Sequence, residues 1–384
     1  MISPEFKRFP NEWKVLPFLE VFEDVTSKGK KVKKENYQIT GDIPVVDQGQ
    51  KFFGGYTDEA NKITGVDLPA IVFGDHTKAF KYVEVDFAIG ADGVKLLNPK
   101  IDADKKFLFY YLKQLKLEDA GYSRHFKFLK ETYIPLPPLE TQKKIAAVLE
   151  KADQLRKDCQ QMEQELNSLA QSVFIDMFVG KDFPLVNLED LASNKKHALS
   201  SGPFGSALSS KHYTDEGVLV LRGLNTTKGK IDLSKTKYIS QEKYEELKRS
   251  KLSVNDVVVV AVGSSGFAIS IPDGFPEAVM SQNFNKISPN MDLIVPKYLE
   301  FAINSSFVQR QFSREITDTV RTFLSLTKLK KVQIPLPPLE LQKQFLSTIK
   351  SILKEEELNQ EFVSEMDNCF SSLMQKAFKG ELTL

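Results

Sequence analysis

IPLPPLE, residues 134–140, returns unchanged as residues 334–340, and a Gln-Lys pair follows one residue later in both places (Gln142-Lys143 and Gln342-Lys343). Seven identities in register at an offset of 200 residues do not arise from low complexity, so the chain is two copies of one plan. The three prolines of each copy impose a stiff, extended approach and cannot continue a helix. Beyond the first copy no Pro or Gly occurs from Leu139 to Phe178, with Thr141 as the expected helix cap. Apolar or small residues fall at Val148, Ala152, Leu155, Cys159, Met162, Leu166, Leu169 and Val173, in alternating steps of four and three. That spacing is a heptad seam. It predicts a helix of about 35 residues, roughly 50 Å long, that pairs with another helix.

The second copy leads into a similar helix, expected at about 341–379. Its seam reads Phe345, Ile349, Ile352, Glu356, Asn359, Val363, Met366, Phe370, Leu373 and Ala377. Toward the helix ends, Ser168, Leu169, Gln171 and Phe174 match Ser372, Leu373, Gln375 and Phe378 at an offset of 204. On that alignment four residues, about one turn, have been gained near 353–356, which is a stutter. The two helices are the expected partners of each other.

Between the helices lie strand-rich segments. IPVV (43–46), AIVF (70–73) and KYVEVDFAIG (81–90) have the β-branched and aromatic content of strands, and KKFLFYYLKQL (105–115) has helical spacing. Farther on, GVLVLRGL (217–224), DVVVVAVG (256–263) and FAISI (267–271) repeat the pattern. The opening FPLVNLEDLA (183–192) echoes WKVLPFLEVFEDV (13–25). The fold class is therefore α+β: two mixed, strand-rich domains separated by two long antiparallel helices that form a coiled-coil-like spacer, with approximate two-fold symmetry. The expected boundaries are 1–134, 135–179, 180–333 and 334–384.

At 384 residues, 41% hydrophobic and 27% charged, the composition is that of a soluble globular protein, with a net charge of only +1. Any nucleic-acid binding must come from local clusters. No apolar run approaches the ~20 residues of a spanning helix, and MISPEFKRFP has no signal-peptide core. A cytoplasmic chain with no membrane partner is expected. Catalytic equipment is missing: there is no GxxxxGK[ST], no Asn/Asp-Pro-Pro-aromatic tetrad, and His76, His125, His197 and His212 are scattered away from both cysteines. No catalytic residue and no metal ligand are assigned.

What remains are polar, glycine-punctuated loops. VDQGQKFFGGY (46–56) carries Gln48, Gln50, Lys51 and Tyr56; GDHTKAFKY (74–82) offers His76, Thr77 and Lys78; and the lysine run KGKKVKK (28–34) suits phosphates. SGPFGSAL (201–208) presents Phe204 and Ser206, RGLN (222–225) Arg222 and Asn225, VGSSGFA (262–268) Ser264 and Ser265, and SQNFNKI (281–287) Gln282 and Asn283. Arg321 precedes the second proline string as Arg124 precedes the first. Arg to guanine and Asn or Gln to adenine are the usual base-edge pairings.

With its repeat, helices and loops assembled, the whole chain resembles the specificity subunit of type I restriction–modification enzymes. IPLPPLETQKKIAAVLEKAD (134–153) and IPLPPLELQKQFLSTI (334–349) carry the resemblance, with IVFGDHTKAFKYVEVDFAIGADGVKLL (71–97), GPFGSAL (202–208), RGLN and SQNF as typical recognition-domain stretches. It implies two target recognition domains that each read one half of a bipartite, asymmetric site on double-stranded DNA. It also implies two methyltransferase subunits docked on the helices and two motor-nuclease subunits. S-adenosylmethionine, ATP and Mg would be held by those partners and no cofactor by this chain. The helix seam, represented by Val148, Ala152, Leu155, Met162, Leu169, Ile349, Ile352, Val363, Met366 and Leu373, would form the spacer and the subunit interface. A stand-alone two-domain DNA-binding regulator and a protein scaffold are the alternative readings.

Overall fold

The computed structural model describes residues 9–118, 124–227, 230–262, 266–314 and 324–382. The chain forms two compact units, Met1–Gln160 with Gln360–Leu384, and Gln161–Asn359. In chain order the first unit holds β1 (Lys14–Pro17), α1 (Phe18–Val21), β2 (Phe22–Asp24), β3 (Lys31–Val32), β4 (Ile43–Val46), β5 (Gly55–Thr57), β6 (Ala70–Gly74), β7 (Phe80–Val83), β8 (Ala88–Gly90), β9 (Val94–Pro99), α2 (Lys105–Gln114), α3 (Phe126–Lys130) and β10 (Tyr133–Leu136). Next comes the long α4 (Leu139–Phe178), which serves both units. The second unit continues with β11 (Leu185–Asn187), β12 (Leu199–Ser201), β13 (Val218–Leu221), the hairpin β14 (Thr226–Thr227) and β15 (Lys230–Ile231), β16 (Tyr238–Ile239), α5 (Gln241–Glu246), β17 (Lys251–Leu252), β18 (Val257–Val260), β19 (Ala268–Ser270), β20 (Ala278–Met280), β21 (Phe284–Ile287), α6 (Pro296–Asn304), α7 (Ser306–Arg314), α8 (Leu326–Lys330), β22 (Gln333–Pro335) and α9 (Leu339–Thr348). Helix α10 (Lys350–Ala377) runs back into the first unit.

Each unit stacks two four-stranded sheets. In the first, an antiparallel sheet β2-β9-β6-β7 faces a sheet β3-β8-β4-β5 in which β3, β8 and β4 are parallel. The second repeats the plan with β12-β21-β18-β19 and β16-β13-β20-β17, where β13 and β20 are the parallel pair. The middle sheet is buried on both faces, which is why its strands read as unbroken apolar runs. Val257 and Val259 of β18 point to the helices, whereas Val258 and Val260 point to the other sheet. KYVEVDFAIG, expected as one strand, is two: β7 ends at Val83 and β8 starts at Ala88, each in a different sheet.

The repeated string is a strand before it is a hinge. Ile134 pairs with Leu16 across β1 and β10, and Ile334 pairs with Val186 across β11 and β22, so the end of each domain is zipped to its beginning. The helix then starts directly at Leu139 or Leu339 behind the prolines, so Thr141 lies inside the first turn instead of capping it. Gln142 and Gln342 are nearly inaccessible to solvent. The Gln142 amide donates to Pro137 O (2.8 Å) and its carbonyl accepts from Asp104 N (2.9 Å) at the start of α2. Gln342 donates to Pro337 O (2.9 Å) and Leu293 O (3.0 Å) and accepts from Val295 N (2.8 Å) at the start of α6. One side chain thus ties proline corner, spacer helix and domain helix together in each unit.

The helix seam differs from the expected one in two respects. Ile349 and Asn359 are buried, and Ile352, Val363, Met366 and Leu373 are half-buried as expected on α9 and α10. On α4 the half-buried Ala152 keeps its place, but Val148 (36% exposed), Leu155 (48%), Met162 (52%) and Leu169 (50%) lie on the surface. The buried row passes one residue later, through Leu149, Arg156, Glu163 and Ala170. Arg156 and Glu163 made that row look polar, yet the Arg156 guanidinium lies over the Phe370 ring (5.3 Å) and is ion-paired with Asp153. The second correction concerns the stutter. Buried positions match at an offset of 200 throughout: Gln142 with Gln342, Leu149 with Ile349, Ala170 with Phe370, and Phe178 with Phe378. Both helices end at a left-handed glycine, Gly180 and Gly380, each at φ +73°. No residues were gained. A shift of four keeps a helical side chain on nearly the same face, so heptad sequences resemble themselves at that shift. The second helix is instead interrupted at Ile349, where Thr348 Oγ1 bonds back to Gln344 O (2.9 Å).

Within the first unit the start of α4 packs against the end of α10, and within the second the end of α4 packs against α9 and the start of α10, so the helices run in opposite directions. In the first unit Phe378 meets Phe107 and Tyr111 of α2 (both 5.4 Å). In the second Phe174 meets Phe345 (5.6 Å), and Phe178 meets Tyr298 of α6 (5.1 Å). The first unit adds a charged node. Asp153 accepts from Arg156 (2.7 Å) and pairs with Lys157 (2.9 Å) and Lys113 (3.8 Å), while Arg156 reaches Asp367 on α10 (3.4 Å).

Two predictions follow from these junctions. Gln342→Ala should lower the stability of the full chain by about 3 kcal/mol, and Gln142→Ala by about 2, because each strands buried backbone groups. Equal melting curves for wild type and both variants would refute the role. Burial acts to raise the Asp153 carboxyl, but Lys113 and the bonds from Lys157 and Arg156 outweigh it and hold its pKa below 3.8. A depressed carboxyl stabilises above its unfolded pKa, and that contribution is lost as pH falls through the folded value. Asp153→Asn should therefore cost roughly 2 kcal/mol at pH 7 and progressively less below about pH 4. A penalty independent of pH in thermal melts would contradict this.

Candidate nucleic-acid interface

In the first unit the parallel strands β4 and β8 and the neighbouring β6 end at one edge, and their loops interlock there. His76 N donates to Gln48 Oε1 (3.3 Å), Gln50 Nε2 donates to Thr77 O (3.4 Å), Thr77 Oγ1 donates to Gln48 O, and Asp75 N donates to Gly93 O (2.7 Å). The chain at His125 joins them, since its N–H donates to Asp75 O (2.9 Å) and the Asp75 carboxylate accepts from Phe126 N (2.7 Å). Gln48, Gln50, Lys51, His76, Thr77, Lys78 and Arg124, far apart in sequence, are thus gathered on one edge. Gln50, Lys51 and Arg124 are exposed, and Phe52 between the loops is 49% exposed. Gln48 is half-buried, its side-chain carbonyl accepting from His76 N between the two loops. Tyr56 sits on β5, backbone-paired with Gln38, its ring 6.1 Å from Phe53.

Asp47, which the sequence reading passed over, anchors this edge. Its carbonyl accepts from the buried Lys81 Nζ (2.7 Å), and its carboxylate accepts from Gly49 N (2.9 Å). Burial lowers the Lys81 pKa, with Asp47 acting against that shift. Burial, with Asp47 and Asp92 nearby, pushes the Tyr37 hydroxyl up to about 12. The lysine run at 28–34 is a separate feature on and around β3, with its lysines exposed.

The second unit repeats this edge where β13 and β20 end. Ser281 N donates to Leu221 O (2.9 Å), Ala261 N to Asn283 O (2.7 Å), and Gly202 N to Phe284 O (2.9 Å). One approach is close enough to require glycine, since a Cβ on Gly202 would stand 1.9 Å from Ser281 O; Gly223 lies against the Asn283 side-chain amide, 2.9 Å from where its Cβ would be. Segments 202–206, 222–225 and 281–283 therefore share one edge. Phe204, Ser206 and Gln282 are exposed there, and Asn283 is half-buried. Ser264, Ser265 and Arg321 lie outside the described residues.

The RGLN turn departs from expectation. Asn225 is fully buried: it accepts from Arg222 N (3.2 Å) and donates to Asp232 O (2.9 Å) and Lys235 O (3.0 Å). Arg222 also turns inward, donating to Lys235 O (2.5 Å) and lying 6.0 Å from the Tyr213 ring. Both were expected to read bases; Asn225, with no solvent access, builds the turn instead, because a buried loop backbone must find hydrogen-bond partners somewhere, while Arg222 is half-buried. Leu224, between them, is 76% exposed.

Among the described residues no group of three or more His, Cys, Asp or Glu is placed to hold a metal, and no helix is long and apolar enough to cross a membrane. Comparison with known proteins agrees with the two-copy plan. The type I restriction modification DNA specificity domain matches twice, over residues 10–168 and 205–363. The type I restriction enzyme EcoBI specificity subunit of Escherichia coli is 27% identical over 285 residues, covering 66% of this chain and 59% of that subunit. The chain thus matches less than two thirds of that relative's length. The MjaVIII specificity subunit of Methanocaldococcus jannaschii is 22% identical over 317 residues, 75% of this chain and 73% of that subunit. In structure, the S subunit of the type I restriction-modification system from M. genitalium aligns over 98% of this chain and 99% of its own, with a TM-score of 0.58 at 16% identity. With both of its halves matched by the family's domain, this chain belongs to the type I restriction–modification DNA specificity family.

Proposed function

We propose that the chain is the DNA-recognition subunit of a type I restriction–modification complex, acting in the cytoplasm and carrying no catalytic residue or cofactor itself. The observation that carries this reading is the pair of interlocked loop edges, one per unit, each built on the same strand order. Each edge reads one half of a bipartite, asymmetric target in double-stranded DNA. Exposed Gln50, Lys51 and Arg124 serve one half, and Gln282, Ser206 and Phe204 the other, with amides and cations suited to base edges and phosphates. The two edges differ in their side chains, as an asymmetric target requires.

Partners supply the chemistry. Two methyltransferase subunits bind S-adenosylmethionine and extrude an adenine in each half-site for methylation. Two motor-nuclease subunits use ATP and Mg to cleave unmethylated DNA. The exposed row on α4 supports the first association. Val148 and Leu155 in the first unit, and Met162 and Leu169 in the second, repeat every seven residues. Apolar side chains at that spacing suit a docked protein surface better than water.

Replacing residues 181–333 with the corresponding segment of another family member should change one half of the methylated motif and leave the other intact, as read by methylome sequencing. A change in both halves would end the modular reading. Leu155→Glu should abolish co-purification of the methyltransferase subunit on one side and Met162→Glu on the other, with chain stability within 0.5 kcal/mol of wild type because both residues are exposed. Undiminished capture by both variants would move the docking surface elsewhere.

A further inference from the structure

The RGLN turn spends its polar side chains on itself and holds an apolar one outward. Asn225 makes three hydrogen bonds from a position with no solvent access, and Arg222 is drawn back onto Lys235 O. Gly223 lets the turn seat directly against the Asn283 amide. Leu224 therefore stands at 76% exposure on a braced turn, at the edge whose other segments carry the exposed Gln282 and Phe204, the latter 61% exposed. The Lys235 side chain is exposed beside the turn, a cation suited to a phosphate, and the Asp232 carboxylate accepts from Ser234 N (2.8 Å). A major groove offers amides donors and acceptors on base edges, and it offers one apolar group, the 5-methyl of thymine.

We propose that Leu224 is a specificity-determining residue of the second unit that packs on the 5-methyl group of a thymine in its half-site. This rests on the reading of the chain as a DNA-recognition subunit. A braced leucine places its methyls without ordering a loop on binding, so the contact discriminates thymine from cytosine at little entropic cost.

The test uses the chain assembled with its methyltransferase subunits, on duplexes carrying its motif as found by methylome sequencing. Each thymine of the motif is replaced in turn by deoxyuridine, which lacks only the methyl. At one position the replacement should weaken wild-type binding about fourfold, the equivalent of one buried methyl. The Leu224→Ala complex should bind the thymine and deoxyuridine duplexes equally, and Leu224→Met, which keeps the apolar volume, should retain the preference. The inference is overturned by indifference of the wild type to every replacement, by a second-unit half-site with no A·T pair, or by Leu224→Ala that still distinguishes the two duplexes. A complex that binds its motif and ignores deoxyuridine sinks this inference alone. One that binds no motif better than random DNA sinks the recognition reading and this inference with it.

Discussion

Everything in each unit hangs from a buried glutamine. An amide can donate and accept at once, and Gln142 and Gln342 use both capacities against backbone groups that water cannot reach. Proline makes such a partner necessary, because Pro137 O and its counterpart Pro337 O lie where no regular strand or helix continues. The strand pairing of the proline string with the domain's first strand fixes one side of the corner, and the glutamine fixes the other. A domain held this way is tied to its helix on both sides of the corner.

The two copies share this junction but have diverged around it. Asp153 in the first unit corresponds, 200 residues on, to Leu353, which packs into the core of the second. A charged node with Lys113 and Arg156 does on one side what apolar contact does on the other. The outer sheets differ as well. β3 enters before β4 and runs parallel to β8, whereas β17 enters after β16 and runs antiparallel to β20. The edge strand comes from different parts of the chain, yet the loops that follow the parallel strands reach the same kind of edge. Strand order, not the identity of the edge strand, decides where those loops emerge.

Inside the loops, side-chain type is a poor guide to role. Asn225 has the chemistry of a base reader and is consumed in holding its loop, and Gln48 and Arg222 each give one side-chain hydrogen bond to the loops around them. Glycine-rich turns leave many backbone groups unpaired, and the nearest polar side chains satisfy them. The exposed side chains of these loops include Lys51, Gln282 and two large apolar residues, Phe204 and Leu224.

The sequence by itself determined the duplication, the strand-rich domains, the long helices and the family, because identities in register and heptad spacing are local properties of the chain. It also held the correct seam of α4, since subtracting 200 from the buried row of α10 returns it. Reading α4 alone favoured Leu155 and Met162 over Arg156 and Glu163, because hydrophobicity cannot anticipate that a charged head will find Asp153 and Asp367. Which face of α4 is buried, which polar loop residues turn inward and which leucine turns outward were decided by tertiary structure alone. Each depends on a partner brought in from a distant part of the chain, and no local pattern encodes a hydrogen bond to a residue that folding has yet to bring near.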